Sequence, residues 1–165
     1  MPLIPAITDI EALKSHPALA SLLGWNARMV QAAKFDRDEL TIWVEKDGIR
    51  EACAILRDAG DCPFNYLCDV TCVDWYPSEP RFEVVYHLLS IPGKERVRLK
   101  TRLDGSSAAL ESVTSVWPAA NFYEREVFDL FGVRFTGHPY LQRLMMPDDW
   151  EGHPLRKDYP VEGYR

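Results

Sequence analysis

Residues 95–103 alternate without a fault. Val97, Leu99, Thr101 and Leu103 take one parity, and Arg96, Arg98, Lys100 and Arg102 take the other. A period of two fits a β-strand with one buried face, because successive side chains of a strand point to opposite sides of the sheet. A lone half-buried strand is not stable, so this stretch demands a sheet and a layer to cover it. Residues 64–75 and 81–91 supply two further strand candidates, joined by the turn-rich Tyr76-Pro77-Ser78-Glu79-Pro80. Loop parity then fixes which faces coincide. An even loop around Pro92-Gly93 puts Phe82, Val84, Tyr86 and Leu88 on the face of Val97, Leu99, Thr101 and Leu103. An odd loop would set Tyr86 beside Arg98. The apolar match predicts the even loop. The basic stripe reads first as a solvated face, and second as a docking surface for an acidic partner.

Helices are predicted on either side. Thr8 can cap a segment over 8–23, with Glu11 at the capping-box position and Pro17 splitting it into two short helices. Residues 28–35 and 39–45 read as a strand pair around Asp36-Arg37-Asp38. Residues 47–59 read as a helix with Ile49, Cys53 and Leu56 on one face and Gly60 as its stop. Residues 108–117 also read as a helix, with Leu110, Val113 and Trp117 in register. A last helix is predicted over 118–132, opened by Pro118 and closed by Gly132. Its inner stripe is Tyr123, Val127, Leu130 and Phe131; Arg125 and Asp129 fall on the far side with Phe122 and Glu126. An aromatic on a charged outer face is unusual for a surface meant only for water.

From residue 133 the periodicity dissolves. Pro139, Pro147, Pro154 and Pro160 interrupt any helix, yet Trp150, Met145, Met146 and several tyrosines make the segment too apolar for a disordered linker. A segment without regular structure has little with which to offset its ordering entropy. It needs a surface to lie on, either its own domain or another chain. Its charges balance, Arg134, Arg143, Arg156, Lys157 and Arg165 against Asp148, Asp149, Glu151, Asp158 and Glu162, which suits pairing with protein. The predicted organisation is an α/β (α+β) domain over 1–132, a compact mixed or antiparallel sheet with flanking helices, followed by an extended irregular tail over 133–165.

Signatures of catalysis are missing. No glycine-rich dinucleotide loop, Walker loop or nucleophile elbow occurs. The four cysteines, Cys53, Cys62, Cys68 and Cys72, form no C-x-x-C pair. Cys68 and Cys72 share strand parity with Tyr66 and Val70 and read as small core residues. Gly137-His138-Pro139 and Gly152-His153-Pro154 flank Asp148, Asp149 and Glu151, so a divalent metal is conceivable. The histidines stand 15 positions apart with no shared helix, which favours turns or an interface. Glu124 and Glu126 diverge on a helix and make a poor acid/base pair.

The composition, 47% hydrophobic at a net charge of −6, allows a real core and disfavours nucleic acid and anionic lipid as partners. No apolar run reaches the roughly 20 residues of a membrane span, and the N-terminus lacks a signal-peptide pattern. A cytoplasmic location is expected.

Three blocks then occur in order: Glu124-Arg125-Glu126 through Asp129-Leu130-Phe131-Gly132, Gly137-His138-Pro139 through Leu141 and Arg143, and Pro154-Leu155-Arg156-Lys157-Asp158-Tyr159-Pro160. In spacing and order they resemble the C subunit of respiratory complex I, the NADH:quinone oxidoreductase. Residues 69–90 and 112–132 resemble the same family. The resemblance implies a non-catalytic peripheral-arm subunit, with its tail clasping the D-type subunit that helps form the quinone pocket. It also implies that flavin, iron–sulfur clusters, NADH and quinone sit on other subunits, and that the complex holds this chain on the cytoplasmic side of the inner membrane. Interface residues expected on this basis are Phe122, Glu124, Arg125, Glu126, Asp129, His138, Arg143, Trp150, Arg156, Lys157, Asp158 and Tyr159. In some bacteria this subunit is fused to the D-type partner, whereas a chain ending at Arg165 is expected to stand alone. The rivals are the equivalent subunit of a membrane-bound nickel–iron hydrogenase or formate-hydrogen-lyase complex, and a free-standing metalloenzyme using His138 and His153.

Overall fold

The computed structural model describes residues 5–163. Five strands form one sheet: β1 (Val30–Asp36), β2 (Glu39–Val44), β3 (Tyr66–Asp74), β4 (Phe82–Ser90) and β5 (Glu95–Leu103), in the order β1-β2-β5-β4-β3. The β2–β5 pair is parallel and the other neighbours are antiparallel. β1 turns into β2 through Arg37 and Asp38, both at positive φ, as a two-residue hairpin loop of matching twist requires.

The even loop is found. Ser90 pairs with Glu95, leaving residues 91–94 as the turn, and Phe82, Val84, Tyr86 and Leu88 lie opposite Leu103, Thr101, Leu99 and Val97. These residues, with Leu40, Ile42 and Val44 of β2, make the buried face. Helices α1 (Ile10–Leu13), α2 (Pro17–Asn26), α3 (Ile49–Arg57) and α4 (Ala120–Phe131) contribute to the same core, through Leu13, Leu19, Leu22, Ile49, Cys53, Leu56 and Val127 among others. The cap of α1 is Asp9, one residue after the expected Thr8.

The open face carries the basic stripe, and the sheet neutralises it. Register aligns Asp69, His87, Arg98 and Thr41 across four strands. His87 Nδ1–H donates to Asp69 (2.6 Å), and Arg98 donates to His87 Nε2 (3.0 Å), to Thr41 and to Glu39. Glu83 is buried beneath Lys100 (2.6 Å), Arg102 (3.2 Å) and the Trp43 indole N–H (3.1 Å). Burial opposes its charge, but these donors outweigh it and hold its pKa below the usual range.

Two expectations about the strands and helices fail. Residues 108–117 are not helical: β6 (Ala109–Glu111) pairs in parallel with β7 (Arg134–Thr136), and a turn follows. Leu110, Val113 and Trp117 are buried as expected, but by a long-range strand pairing invisible in local periodicity. Ser112 Oγ also takes the Thr114 N–H, a local competitor to the helix. The second failure is the parity of β3. A bulge between Leu67 and Asp69 shifts the register at Cys68. Val70 and Cys72 reach the core, while Tyr66 is half exposed and Cys68 only partly buried. The packed body runs past Gly132, since Val133 and Phe135 are core residues.

Candidate functional site

Helix α4 is covered on two sides. Its inner face buries Ala120, Glu124 and Val127 against the body. Glu124 accepts the Val113 N–H (2.7 Å) and the Ser112 hydroxyl (2.6 Å), fixing the turn after β6 to the helix. Burial, only partly countered by these two bonds, pushes its pKa up to about 7.

The other side is covered by the tail, which runs along the helix from its first turn to its last. His138 donates from Nε2 to the Asn121 carbonyl (3.2 Å), while its Nδ1 accepts the Tyr140 N–H (3.0 Å). One turn on, Arg125 donates to the carbonyls of Gln142 (3.1 Å) and Arg143 (3.0 Å), beneath the Tyr140 ring. A further turn on, one oxygen of Asp129 accepts the consecutive N–H groups of Leu144 (2.9 Å), Met145 (2.7 Å) and Met146 (2.9 Å). Its other oxygen accepts Arg143 (2.6 Å). Burial again opposes the charge, but here Met146, Arg143, Leu144 and Met145 win, and the pKa falls below the ordinary aspartate value.

The end of α4 explains why the tail stays. The last carbonyls of a helix have no partner within it. Gly132, left-handed at φ 76°, returns its N–H to Phe128. The tail supplies the rest: His153 Nδ1–H to Asp129 O (2.8 Å), the Leu155 N–H to Leu130 O (3.0 Å), and Arg156 Nε to Phe131 O (2.6 Å). Cationic groups at a helix C-terminus also complement its dipole. A Cβ on Gly132 would come within 2.5 Å of Arg156 Nη2 and 2.6 Å of the His153 ring, so glycine is needed there for space as well as for φ. Arg143 links this region to the middle of the tail through the carbonyls of Trp150 (2.8 Å) and Gly152 (3.0 Å).

A last anchor lies where β3 meets β4. Asp74, buried, binds Arg81 through two bonds (2.9 and 2.8 Å) and accepts the Lys157 N–H (2.9 Å). Asp158 takes the same guanidinium at 2.8 and 2.6 Å. Burial resists the charge on Asp74, but Arg81 and the backbone donors bring its pKa down to about 2.

The residues expected at an interface thus divide. Glu124 and Asp129 are fully buried and spend their oxygens within this chain. Asp129 is not on an outer face, because the tail folds back onto the helix and covers it. Arg125, His138, Arg143, Arg156 and Asp158 hold the tail to the body, Lys157 does so through its backbone, and the Tyr159 hydroxyl donates to Glu151 O (3.3 Å). Phe122, Glu126 and Trp150 are exposed. The sequence reading missed Asp74 and Arg81. The signal was there: Asp74 has the core parity of Val70 and Cys72, and a charge at such a position demands a partner.

Several of the tail's polar groups are turned inward, and several of its large apolar side chains are turned out, although Leu141 packs on the core. Tyr140, Leu144, Met145 (64% exposed), Trp150 and Leu155 face away from the body, as does Phe122 (61%) on α4. Among the described residues, no group of three or more His, Cys, Asp or Glu side chains is placed to hold a metal, and no helix is long and apolar enough to cross a membrane.

The family described as the respiratory-chain NADH dehydrogenase 30 kDa subunit matches residues 42–165, which include this whole site. The chain belongs to that family. Relatives agree: the C subunit of the NADH-quinone oxidoreductase of Citrifermentans bemidjiense is 50% identical over 127 residues, 77% of this chain and 78% of the relative. The same subunit of Geobacter metallireducens is 46% identical over 140 residues, 84% of this chain and 85% of the relative. Among solved structures, a trypsin-resistant fragment (1–134) of Nqo5 superposes with a TM-score of 0.64 at 32% identity, over 75% of this chain and 99% of that one. A chain of the membrane-bound sulfane sulfur reductase, an archaeal respiratory membrane complex, gives 0.74 at 32% identity, over 90% of this chain and 86% of that one. This member of the 30 kDa family is therefore a relative of oxidoreductase subunits, built on a mixed α/β fold with no membrane-spanning helix among the described residues.

Proposed function

We propose that this chain is a scaffold subunit of the peripheral arm of a proton-translocating NADH:quinone oxidoreductase, docked on the D-type subunit that forms the quinone site. It performs no chemistry itself; flavin, iron–sulfur clusters, NADH and quinone belong to other subunits, and the complex holds it at the cytoplasmic side of the inner membrane. One observation carries this reading: the tail is inside out. Arg143 and Arg156 are consumed by its own helix and Asp158 by Arg81, while Tyr140, Met145 and Leu155 are presented to the outside. Exposed apolar side chains on a segment held by polar contacts suit a desolvating interface, with Phe122, Met145 and Trp150 as anchors.

The likeness to a sulfane sulfur reductase chain supports a second reading, in which the same scaffold serves a respiratory membrane complex that reduces something other than quinone. The subunits that co-purify separate the two.

The test replaces Met145 and Leu155 together by aspartate in the full chain. The isolated variant should keep its circular dichroism and its melting temperature, because both side chains are exposed. It should no longer co-purify with the D-type subunit, and quinone reduction by the membranes should fall with it. Normal assembly of the doubly charged variant would overturn the proposal.

A further inference from the structure

The histidines of both Gly-His-Pro triplets anchor the tail in the neutral form, and a proton disfavours each: on His138 it removes an acceptor, and on His153 it charges a ring set between two arginines. His138 uses both ring nitrogens in opposite senses: Nε2–H donates to the Asn121 carbonyl and the bare Nδ1 accepts the Tyr140 N–H. Adding a proton at Nδ1 sets two N–H groups against each other, and the turn into the tail must open. His153 donates from Nδ1 to Asp129 O, while its Nε2 edge packs against Gly132 in the space a Cβ would fill. A proton there has no acceptor among the described residues.

We infer that His138 and His153 form an acid-released latch, which keeps the tail folded along α4 near neutral pH and frees it when both imidazoles are protonated. This rests on the reading of the tail as the docking element and adds how that element is regulated.

The surroundings favour the neutral rings. His138 faces Arg125 from α4 and the Tyr140 backbone from the tail; burial first, and Arg125 second, lower its pKa against the opposing Asn121 bond. His153 faces Asp129 and the edge of Phe128 from α4, and Arg143 and Arg156 from the tail. Burial and the two arginines lower its pKa against the pull of the Asp129 carbonyl and carboxylate. The sign follows from linkage. In the released tail both rings return to an ordinary pKa of about 6.5. The docked state binds fewer protons, so docking is fully favoured above that value and weakens as pH falls toward the lowered docked values. The limit is about tenfold per pH unit for each histidine. Asp129 does not mimic this, because its pKa is lowered and it loses its charge only in stronger acid. Glu124 does titrate near 7, but on the opposite face of α4 and with the opposite sign, gaining stability as pH falls.

The measurement is hydrogen exchange on the isolated full-length chain at about pH 7.5 and about pH 5.5, expressed as protection factors so that intrinsic exchange cancels. Protection of the Leu144, Met145 and Met146 amides should fall about tenfold or more at the lower pH. Amides in β4, such as that of Tyr86, should keep theirs. His153→Asn retains a donor toward the Asp129 carbonyl and does not titrate; His138→Asn retains an acceptor for the Tyr140 N–H. Each variant should lose part of the pH dependence, and the double variant nearly all of it, whatever its absolute protection. The latch is overturned if wild-type protection is flat across this range, if the double variant responds like wild type, or if the ring resonances titrate at or above the ordinary value. Because the readout needs no partner, failure of the docking reading (Met145→Asp with Leu155→Asp still assembling) leaves this result standing and is told apart from it.

Discussion

Helix α4 hides one carboxylate on each of its covered sides, and the two behave oppositely. Glu124 and Asp129 are both fully buried. Glu124 faces the body, where one hydroxyl and one N–H are its only donors, and its pKa rises to about 7. Asp129 faces the tail, where three N–H groups and a guanidinium converge, and its pKa falls. The body coheres by apolar packing and tolerates an underpaired acid. The tail is held largely by polar contacts and fully satisfies its acid, while apolar groups such as Met145 and Leu155 face outward.

Removing the better-satisfied carboxylate is the largest way to break this contrast. In Asp129→Ala, Arg143 and three amides lose their acceptor at once, and losing one member of a buried charge pair costs about 3–5 kcal/mol. The cost falls on docking of the tail, since the inner stripe of α4 is untouched. Exchange at the 144–146 amides should accelerate by between about a hundredfold and a few thousandfold. The body should still melt cooperatively near the parent temperature. Unchanged protection of those amides would show that the apolar packing of the tail suffices without Asp129.

The second prediction concerns Glu124→Gln, which keeps the shape and can still accept the Val113 N–H. A folded pKa raised to about 7, against an ordinary value of 4.5, means that the folded protein holds a proton the unfolded chain has released. The stabilisation this represents is complete below about pH 4.5 and is lost as pH rises through about 7. Relative to the glutamine variant, the wild type should therefore lose about 3 kcal/mol between those limits. Urea denaturation at several pH values checks this; parallel stability curves for the two proteins would place an ionised, well-solvated carboxylate at Glu124.

The sheet was legible in the sequence because strand parity is a local property: the alternation in β5 and its apolar match to β4 determine the register. Wherever a partner arrives from far along the chain, local pattern failed. β6 is made a strand by β7, and the apolar residues of 108–117 carry no sign of that. Asp129 looked like a surface residue because α4, read alone, has an outer side; only the returning tail buries it. The blocks 124–132, 137–143 and 154–160 contain the groups that join the tail to α4 and to Arg81, just before β4. Their roles were not readable, because a charge that staples a chain to itself and a charge that meets a partner look the same in one dimension.

The smallest predicted effect sharpens the comparison on the far side of the sheet, where two readings of the basic stripe compete. Arg102 is half exposed, at 49% of its side chain, and shares Glu83 with Lys100 and Trp43. If the open face is a self-neutralised polar network, Arg102→Ala leaves Glu83 with two of its three donors, so no buried charge is orphaned. The cost should then be that of an exposed pair, about 0.2–1 kcal/mol, and it should shrink further in high salt. Assembly with the D-type subunit should be unaffected, since the proposed anchors lie on the tail and α4 and not on this face. If the stripe instead meets an acidic partner, stability in isolation would again change little, but co-purification would fall at low salt, and the deficit relative to the wild type would shrink as salt is raised. Pull-down of the Arg102→Ala chain at two ionic strengths therefore decides the matter. A loss of partner would make the open face of the sheet a second interface, held by charge where the tail is held by apolar contact.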